Sequence, residues 1–260
     1  MNPIEVTLIT GASSGIGYEM ARIYMEKGHN LLLVARSEDK LLEMISLHSP
    51  QFKGTLFHFP LDLSDPNSAQ KLYDHCKAQQ FRVTRLINNA GFGLHGSFLE
   101  LNLEEQMQMM QLNMATLTRL CYLFGADMMQ AGGGKVMNVA SIAAFLSGPN
   151  MAVYFATKNF VLALSEALHY EWKNMGVTVT TLCPGPTESQ FFDRASMQGM
   201  RMLRMAPIPR AYDVAEYGIN AMEKGKSLAV HGFLNRFQVL LTRIFPRAWA
   251  THITARAMQK

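Results

Sequence analysis

The chain has 260 residues, 48% hydrophobic and 17% charged, a balance that excludes intrinsic disorder, collagen-like repeats and an acidic solvating protein. No apolar run approaches the roughly eighteen residues of a spanning helix, and Met1-Asn2-Pro3-Ile4-Glu5 is no secretory leader, so a cytoplasmic protein is expected. The net charge of +4 is unevenly placed: from Lys224 onward there are seven Lys or Arg and no Asp or Glu, which leaves −3 on residues 1–223. With no recognition-helix, zinc-finger or RNA-motif pattern, nucleic acid is excluded as a partner. Cys76, Cys121 and Cys183 lie far apart, which predicts buried, unpaired thiols and no metal site.

Short aliphatic runs alternate with longer helical patterns, the signature of a doubly wound parallel sheet with helices on both faces. Val6–Thr10 reads as the first strand, 18–27 as a helix stopped by Gly28, and 30–35 as the second strand. A helix over 38–47, a strand over 55–61, a helix after Ser64-Asp65-Pro66 and a strand over 84–88 continue the pattern. Next come a long helix over 107–124, a strand over 135–139, a helix over 154–175 and a sixth strand over 177–182. The domain is single, with its doubly wound part over about the first 185 residues, a substrate lid over 186–209 and a basic extension over 224–260.

Thr10-Gly11-Ala12-Ser13-Ser14-Gly15-Ile16-Gly17 directly follows the first strand and opens the first helix. Small residues let backbone approach a pyrophosphate closely, and the amides and dipole at the helix start receive its charge. The spacing, G-x-x-x-G-x-G, differs from the open fingerprint G-x-G-x-x-G. Further along, Ser141 follows the strand over 135–139, and Tyr154 and Lys158 stand one helical turn apart on one face. A tyrosine of ordinary pKa, about 10, is a poor proton relay at neutral pH; a lysine ammonium about 4 Å away stabilises its phenolate by roughly 4 kcal/mol at an effective dielectric near 20.

In these motifs the chain resembles the short-chain dehydrogenase/reductase family, whose cofactor loop reads TGxxxGxG. Asn88-Asn89-Ala90-Gly91 matches its NNAG, Asp62 its adenine-contacting acid, and Pro184-Gly185-Pro186-Thr187 its PG motif. The resemblance implies a Rossmann fold and cofactor contacts from Gly11, Ser13, Ser14, Gly15, Ile16, Gly17, Arg36, Ser37, Asp62, Leu63, Asn89, Ala90, Gly91, Pro184, Gly185 and Thr187, besides Tyr154 and Lys158. An acid near the end of the second strand would bind the ribose hydroxyl of NAD; Arg36 stands there instead and suits the extra phosphate of NADP(H). The implied catalytic set is Asn113, Ser141, Tyr154 and Lys158. Tyr154 protonates the carbonyl oxygen as hydride arrives, Ser141 bonds the same oxygen, Lys158 lowers the tyrosine pKa and holds the ribose, and Asn113 anchors a water.

Position after these motifs assigns Phe92, Gly93, Ala143, Phe145, Asn150, Pro186, Phe191 and Phe192 to the substrate pocket. That mainly apolar wall suits a hydrophobic ketone, aldehyde or alcohol as the small-molecule partner. The resemblance also implies a homodimer or homotetramer. In the tail, Phe233, Leu234, Phe237, Leu240, Leu241, Ile244 and Phe245 share one helical face, and Pro246 stops that helix before a second over 249–258. Such a basic amphipathic helix suits an anionic membrane surface, a partner, its own subunit or the roof of an apolar site. Two other readings are a catalytically idle NADP-binding sensor or scaffold, and a sugar-nucleotide epimerase or dehydratase of the extended branch; chain length and glycine spacing oppose the latter.

Overall fold

The computed structural model describes residues 3–49, 52–188, 208–242 and 244–258. Seven parallel strands form one sheet in the order β3-β2-β1-β4-β5-β6-β7. They are β1 (Ile4–Thr10), β2 (Leu31–Ala35), β3 (Leu56–Pro60), β4 (Phe81–Asn88), β5 (Gly134–Val139), β6 (Val177–Cys183) and β7 (Leu228–Val230). The helices are α1 (Gly15–Glu26), α2 (Glu38–His48), α3 (Ser68–Ala78), α4 (Leu103–Met110), α5 (Leu117–Gln130), α6 (Ala152–Trp172), α7 (Ala211–Glu223), α8 (Phe233–Thr242) and α9 (Arg247–Ala257).

The strands are apolar on both sides because both faces are covered, and their two-residue period divides them between two cores. Leu32 and Val34 of β2 join Leu8, Leu86 and Val136 beneath α3, α5 and α6. Leu31 and Leu33 join Ile9, Ile87 and Leu182 beneath α1, α2 and α7. From β1 the chain winds outward to β3, then returns through β4 on the other side of β1. Ligands bind such sheets at the carboxyl ends of the strands flanking this reversal, where the residues after β1 and β4 meet.

Two departures from the expected pattern matter. The sheet does not end at the sixth strand: α7 packs on α1 and β6, and β7 pairs with β6 from Thr181↔Leu228 to Cys183↔Val230. The basic segment from Lys224 therefore begins inside the domain, and only from α8 onward does it lie outside the sheet and its covering helices. Likewise, the helix predicted over 107–124 is two α-helices joined by a wider π-helical turn, Gln111–Thr116. Such a turn inserts one extra residue into the helical repeat and is frequent at functional sites; here it carries Asn113.

All three cysteines are buried and free, as expected. Among the described residues no helix is long and apolar enough to cross a membrane. The lid expectation, with Phe191 and Phe192, falls largely on 189–207, outside the described residues; at its edges the Glu188 amide donates to the Pro209 carbonyl at 3.0 Å.

Candidate active site

The loop after β1 is lined by backbone. Gly11 has φ +66 and Gly15 φ +57, left-handed values that favour glycine. A side chain at Gly11 would come within 2.8 Å of Asn89 Nδ2, and one at Gly17 would collide with that amide and with the Gly11 carbonyl. The loop is held from the neighbouring strand: Asn89 Nδ2 donates to the carbonyls of Thr10 (3.0 Å) and Gly11 (3.1 Å). In turn, the Thr10 hydroxyl accepts from the amides of Asn89 (3.0 Å) and Ala90 (3.1 Å). Asn89 is thus a brace for the loop through its side chain.

Ser14 precedes α1 in extended conformation without a side-chain cap, and the first turn of α1 has no acid. The helix start keeps its amides and dipole for an anion, and Ser13, Ser14 and Gly15 line an open cleft of about 850 Å³. This donor set fits a phosphate. Ile16 packs on the core beneath α1. Ser37 precedes α2 without capping it. Arg36 is exposed and makes no ion pair or hydrogen bond among the described residues; the adjacent Glu38 faces His58 at 3.5 Å instead. Asp62 accepts from the Ser64 amide at 2.9 Å and its hydroxyl at 2.7 Å. Leu63 is core, its carbonyl taken by Thr116 at 2.8 Å and Ser68 at 3.2 Å.

Around the carboxyl ends of β5 and β6 the four expected catalytic residues converge. Ser141 caps a short 3-10 turn by accepting from the Ala143 amide at 3.1 Å, and its hydroxyl lies 3.4 Å from the Pro184 carbonyl. Lys158 is buried and donates to the Val139 carbonyl at 2.9 Å, with Nζ 5.8 Å from the Tyr154 ring centre. Gly91 lies against this pair: a side chain there would come within 3.0 Å of Asn113 Oδ1 and 3.5 Å of Lys158 Nζ. Thr187 is buried, its hydroxyl donating to the Gly185 carbonyl at 2.9 Å.

Burial decides the protonation states. It pushes the Tyr154 phenol up to about 12, with the Ser141 hydroxyl pulling the other way. Burial also brings Lys158 down to about 8, opposed by the neighbouring Cys183, and pushes the Cys183 thiol up to about 12. Desolvation outweighs the Ser141 hydrogen bond, so the phenol stands above its ordinary value. At neutral pH Tyr154 keeps its proton.

Asn113 ties this site to the loop after β4. Its Nδ2 donates to the Phe92 carbonyl (3.0 Å) and the Thr157 hydroxyl (3.1 Å), and its Oδ1 accepts from the Phe92 amide (3.3 Å). The side chain is committed to protein groups, so it braces the loop after β4 against α6. Thr157, which donates onward to the Tyr154 carbonyl at 2.7 Å, was missed from the sequence. Its i+3 spacing from Tyr154 is the signal that would have found it.

Of the expected substrate residues, Phe92 and Ala143 share one apolar cluster with Tyr154, Met109, Met151 and Phe155. Gly93, next to Phe92, is buried, and Pro186 is half-buried. Phe145 instead packs on the main core, turned there by the 3-10 turn of Ile142–Phe145. Asn150 is an exposed turn residue with φ +63 whose carbonyl accepts from the Gly96 amide at 2.8 Å. A member that nothing in the sequence signalled is Met258, buried in the Tyr154 cluster from beyond α9. Its carbonyl lies 3.3 Å from His95 Nε2.

Comparison with known proteins agrees with the fold. Residues 5–198 match the short chain dehydrogenase family model. A D-threitol dehydrogenase of Mycolicibacterium smegmatis is 32% identical, covering 69% of each chain. A Sphingobium yanoikuyae short-chain dehydrogenase, solved in complex with NADPH, superposes with TM-score 0.82 at 26% identity over 92% of this chain and 93% of that one. The bulky-bulky ketone specific alcohol dehydrogenase of Comamonas testosteroni superposes with TM-score 0.77 at 26% identity over 94% and 93%. The chain belongs to the short chain dehydrogenase family. It is an oxidoreductase of that family, acting on CH–OH or C=O groups.

Proposed function

We propose that the protein is an NADP(H)-dependent reductase of an apolar ketone or aldehyde, running in reverse as an alcohol dehydrogenase, with Tyr154 as general acid and base. The observation that carries this reading is the meeting of Ser141, Tyr154 and Lys158 beside a phosphate-fitting backbone cradle. The cofactor supplies the hydride when bound. Gly11, Ser13, Ser14, Gly15 and Gly17 would hold its pyrophosphate, with Asn89 fixing the loop. Arg36, which has no partner among the described residues, would take the 2′-phosphate; the Sphingobium relative is solved in complex with NADPH.

Tyr154 then gives its proton to the carbonyl oxygen, Ser141 donates to the same oxygen, and Lys158 resupplies the phenol and holds the ribose. The apolar cluster of Phe92, Ala143, Met151 and Met258 supports a hydrophobic substrate, in keeping with the bulky-ketone relative. The same reading makes the assembly a homodimer or homotetramer and gives the basic C-terminal helices a peripheral membrane contact.

The test is parallel titration with NADPH and NADH, followed by absorbance at the reduced nicotinamide band with a panel of apolar ketones and aldehydes. Tighter NADPH binding with turnover is expected. Tight binding without turnover on any carbonyl would favour the idle sensor, and absence of binding would end the reading.

A further inference from the structure

A helix on a globular surface normally turns its apolar stripe inward, and α8 does the reverse. Phe233, Leu234, Phe237 and Leu240 of α8, and Ile244 just past its end, all face solvent, Phe233 at 80% and Ile244 at 70% exposure. Within α8 only Val239 is buried. On α9, Trp249 and Ile253, one turn apart, are each 65% exposed. Large exposed apolar side chains concentrated in one surface segment mark an interaction site, and these two consecutive helices carry six. Around it the segment is basic, with Arg247 and Arg256 exposed and no Asp or Glu from Lys224 to the end.

The inward sides of the same helices rest on the active site. Asn235 of α8 lies over Gly185, where a side chain would meet its amide at 2.5 Å. Beyond α9, Met258 enters the Tyr154 cluster and bonds His95. The segment of α8 and α9 therefore packs over Gly185 and the Tyr154 cluster, while its outer surface is apolar and cationic.

We propose that the outer face of α8 and α9 docks on an anionic lipid surface. Charge chooses this occupant over a second copy of the chain: a self-docked face would oppose two acid-free, cationic segments, whereas anionic headgroups complement them. Phe and Trp side chains then enter the headgroup boundary while arginines meet the lipid charge. The proposal deepens the reading above, on which it rests for the apolar substrate, because it sets the segment packed on the Tyr154 cluster against the phase in which such molecules dissolve.

The full chain is sedimented with phosphatidylserine-containing vesicles and with pure phosphatidylcholine vesicles, beside Phe237→Glu/Trp249→Glu and, separately, Arg247→Gln/Arg256→Gln. Expected is binding of the wild type to the anionic vesicles, weakened by salt, with a loss of about tenfold or more in the first variant and a smaller loss in the second. Equal binding to both vesicle types, undiminished binding of Phe237→Glu/Trp249→Glu, or no binding at all overturns the proposal. So does conversion of a wild-type oligomer to monomers by that variant in analytical ultracentrifugation without lipid, which would make the face a subunit seam. NADPH titration of the same samples separates the two readings. Retained cofactor binding without vesicle binding sinks only the docking, and vesicle binding without cofactor binding sinks only the reductase.

Discussion

Near the amino end of the sheet, Glu223 accepts from Lys135 Nζ at 2.7 Å, Arg85 Nε at 2.8 Å and Tyr24 Oη at 3.0 Å. At the carboxyl end, Lys158 is more deeply buried yet has only the Val139 carbonyl and no carboxylate among the described residues, and Arg36 has no partner there at all. The pKa shifts follow. Hydrogen bonds and charge from Arg85 and Lys135 overcome the burial of Glu223 and hold its carboxyl at about 2, whereas burial, opposed only by Cys183, brings Lys158 down to about 8. Polar groups satisfied inside the protein hold the fold; those left without a counter-ion converge where a ligand would supply one.

The comparison breaks first at Tyr154. Tyr154→Phe should keep NADPH affinity and stability but lose turnover by roughly 10²- to 10⁴-fold; steady-state kinetics beside a cofactor titration check this, and near-normal rates would remove the tyrosine from the chemistry. Next, Arg36→Asp should shift the NADPH to NADH affinity ratio by roughly 10- to 100-fold, the loss of a charge-assisted contact. Fluorescence titration of both cofactors reads it, and an unchanged ratio would move the phosphate site elsewhere.

Smaller effects come from the paired end. Glu223→Gln should cost about 1–2 kcal/mol of stability in denaturant melts while leaving turnover unchanged. Because the folded carboxyl titrates at about 2 instead of the ordinary 4.5, the unfolded chain binds more protons between those values. The contribution of Glu223 is thus complete above pH 4.5 and lost as pH falls toward 2. The variant should lose less stability than the wild type across that window. Lys158 works in another window: lowered from 10.5 to about 8, it costs stability fully below pH 8, and that cost is relieved as pH rises to 10.5. Thermal melts should show this relief in the wild type and not in Lys158→Met.

What could be read from the sequence was local. The cradle of Gly11, Gly15 and Gly17, the pair Tyr154 and Lys158, and six strands announce themselves within a few residues of chain. The seventh strand, Leu228–Val230, is three residues long and has no period to detect. Helix α7 carries a regular apolar stripe of Val214, Ala215, Ile219 and Met222, legible in principle but lying past the segment read as doubly wound. Met258 reaches Tyr154 only through the return of two helices, a contact set by tertiary packing. The neutral tendency of Lys158 depends on how much water the fold excludes, which residue spacing does not encode.

The wide turn at Gln111–Thr116 also sets a phase. An α-helix advances about 100° per residue, so the single extra residue accommodated there rotates everything after it relative to what came before. Leu117, Leu120, Cys121 and Phe124 face the core while Met109, on the other side of the turn, faces the Tyr154 cluster. Deleting one residue, such as Leu112, would restore a uniform helix while swinging these two faces out of agreement. In an alignment, a gap at this point would read as a trivial length difference; in the molecule it would be a change of gear between the half of the helix that builds the domain and the half that shapes its pocket.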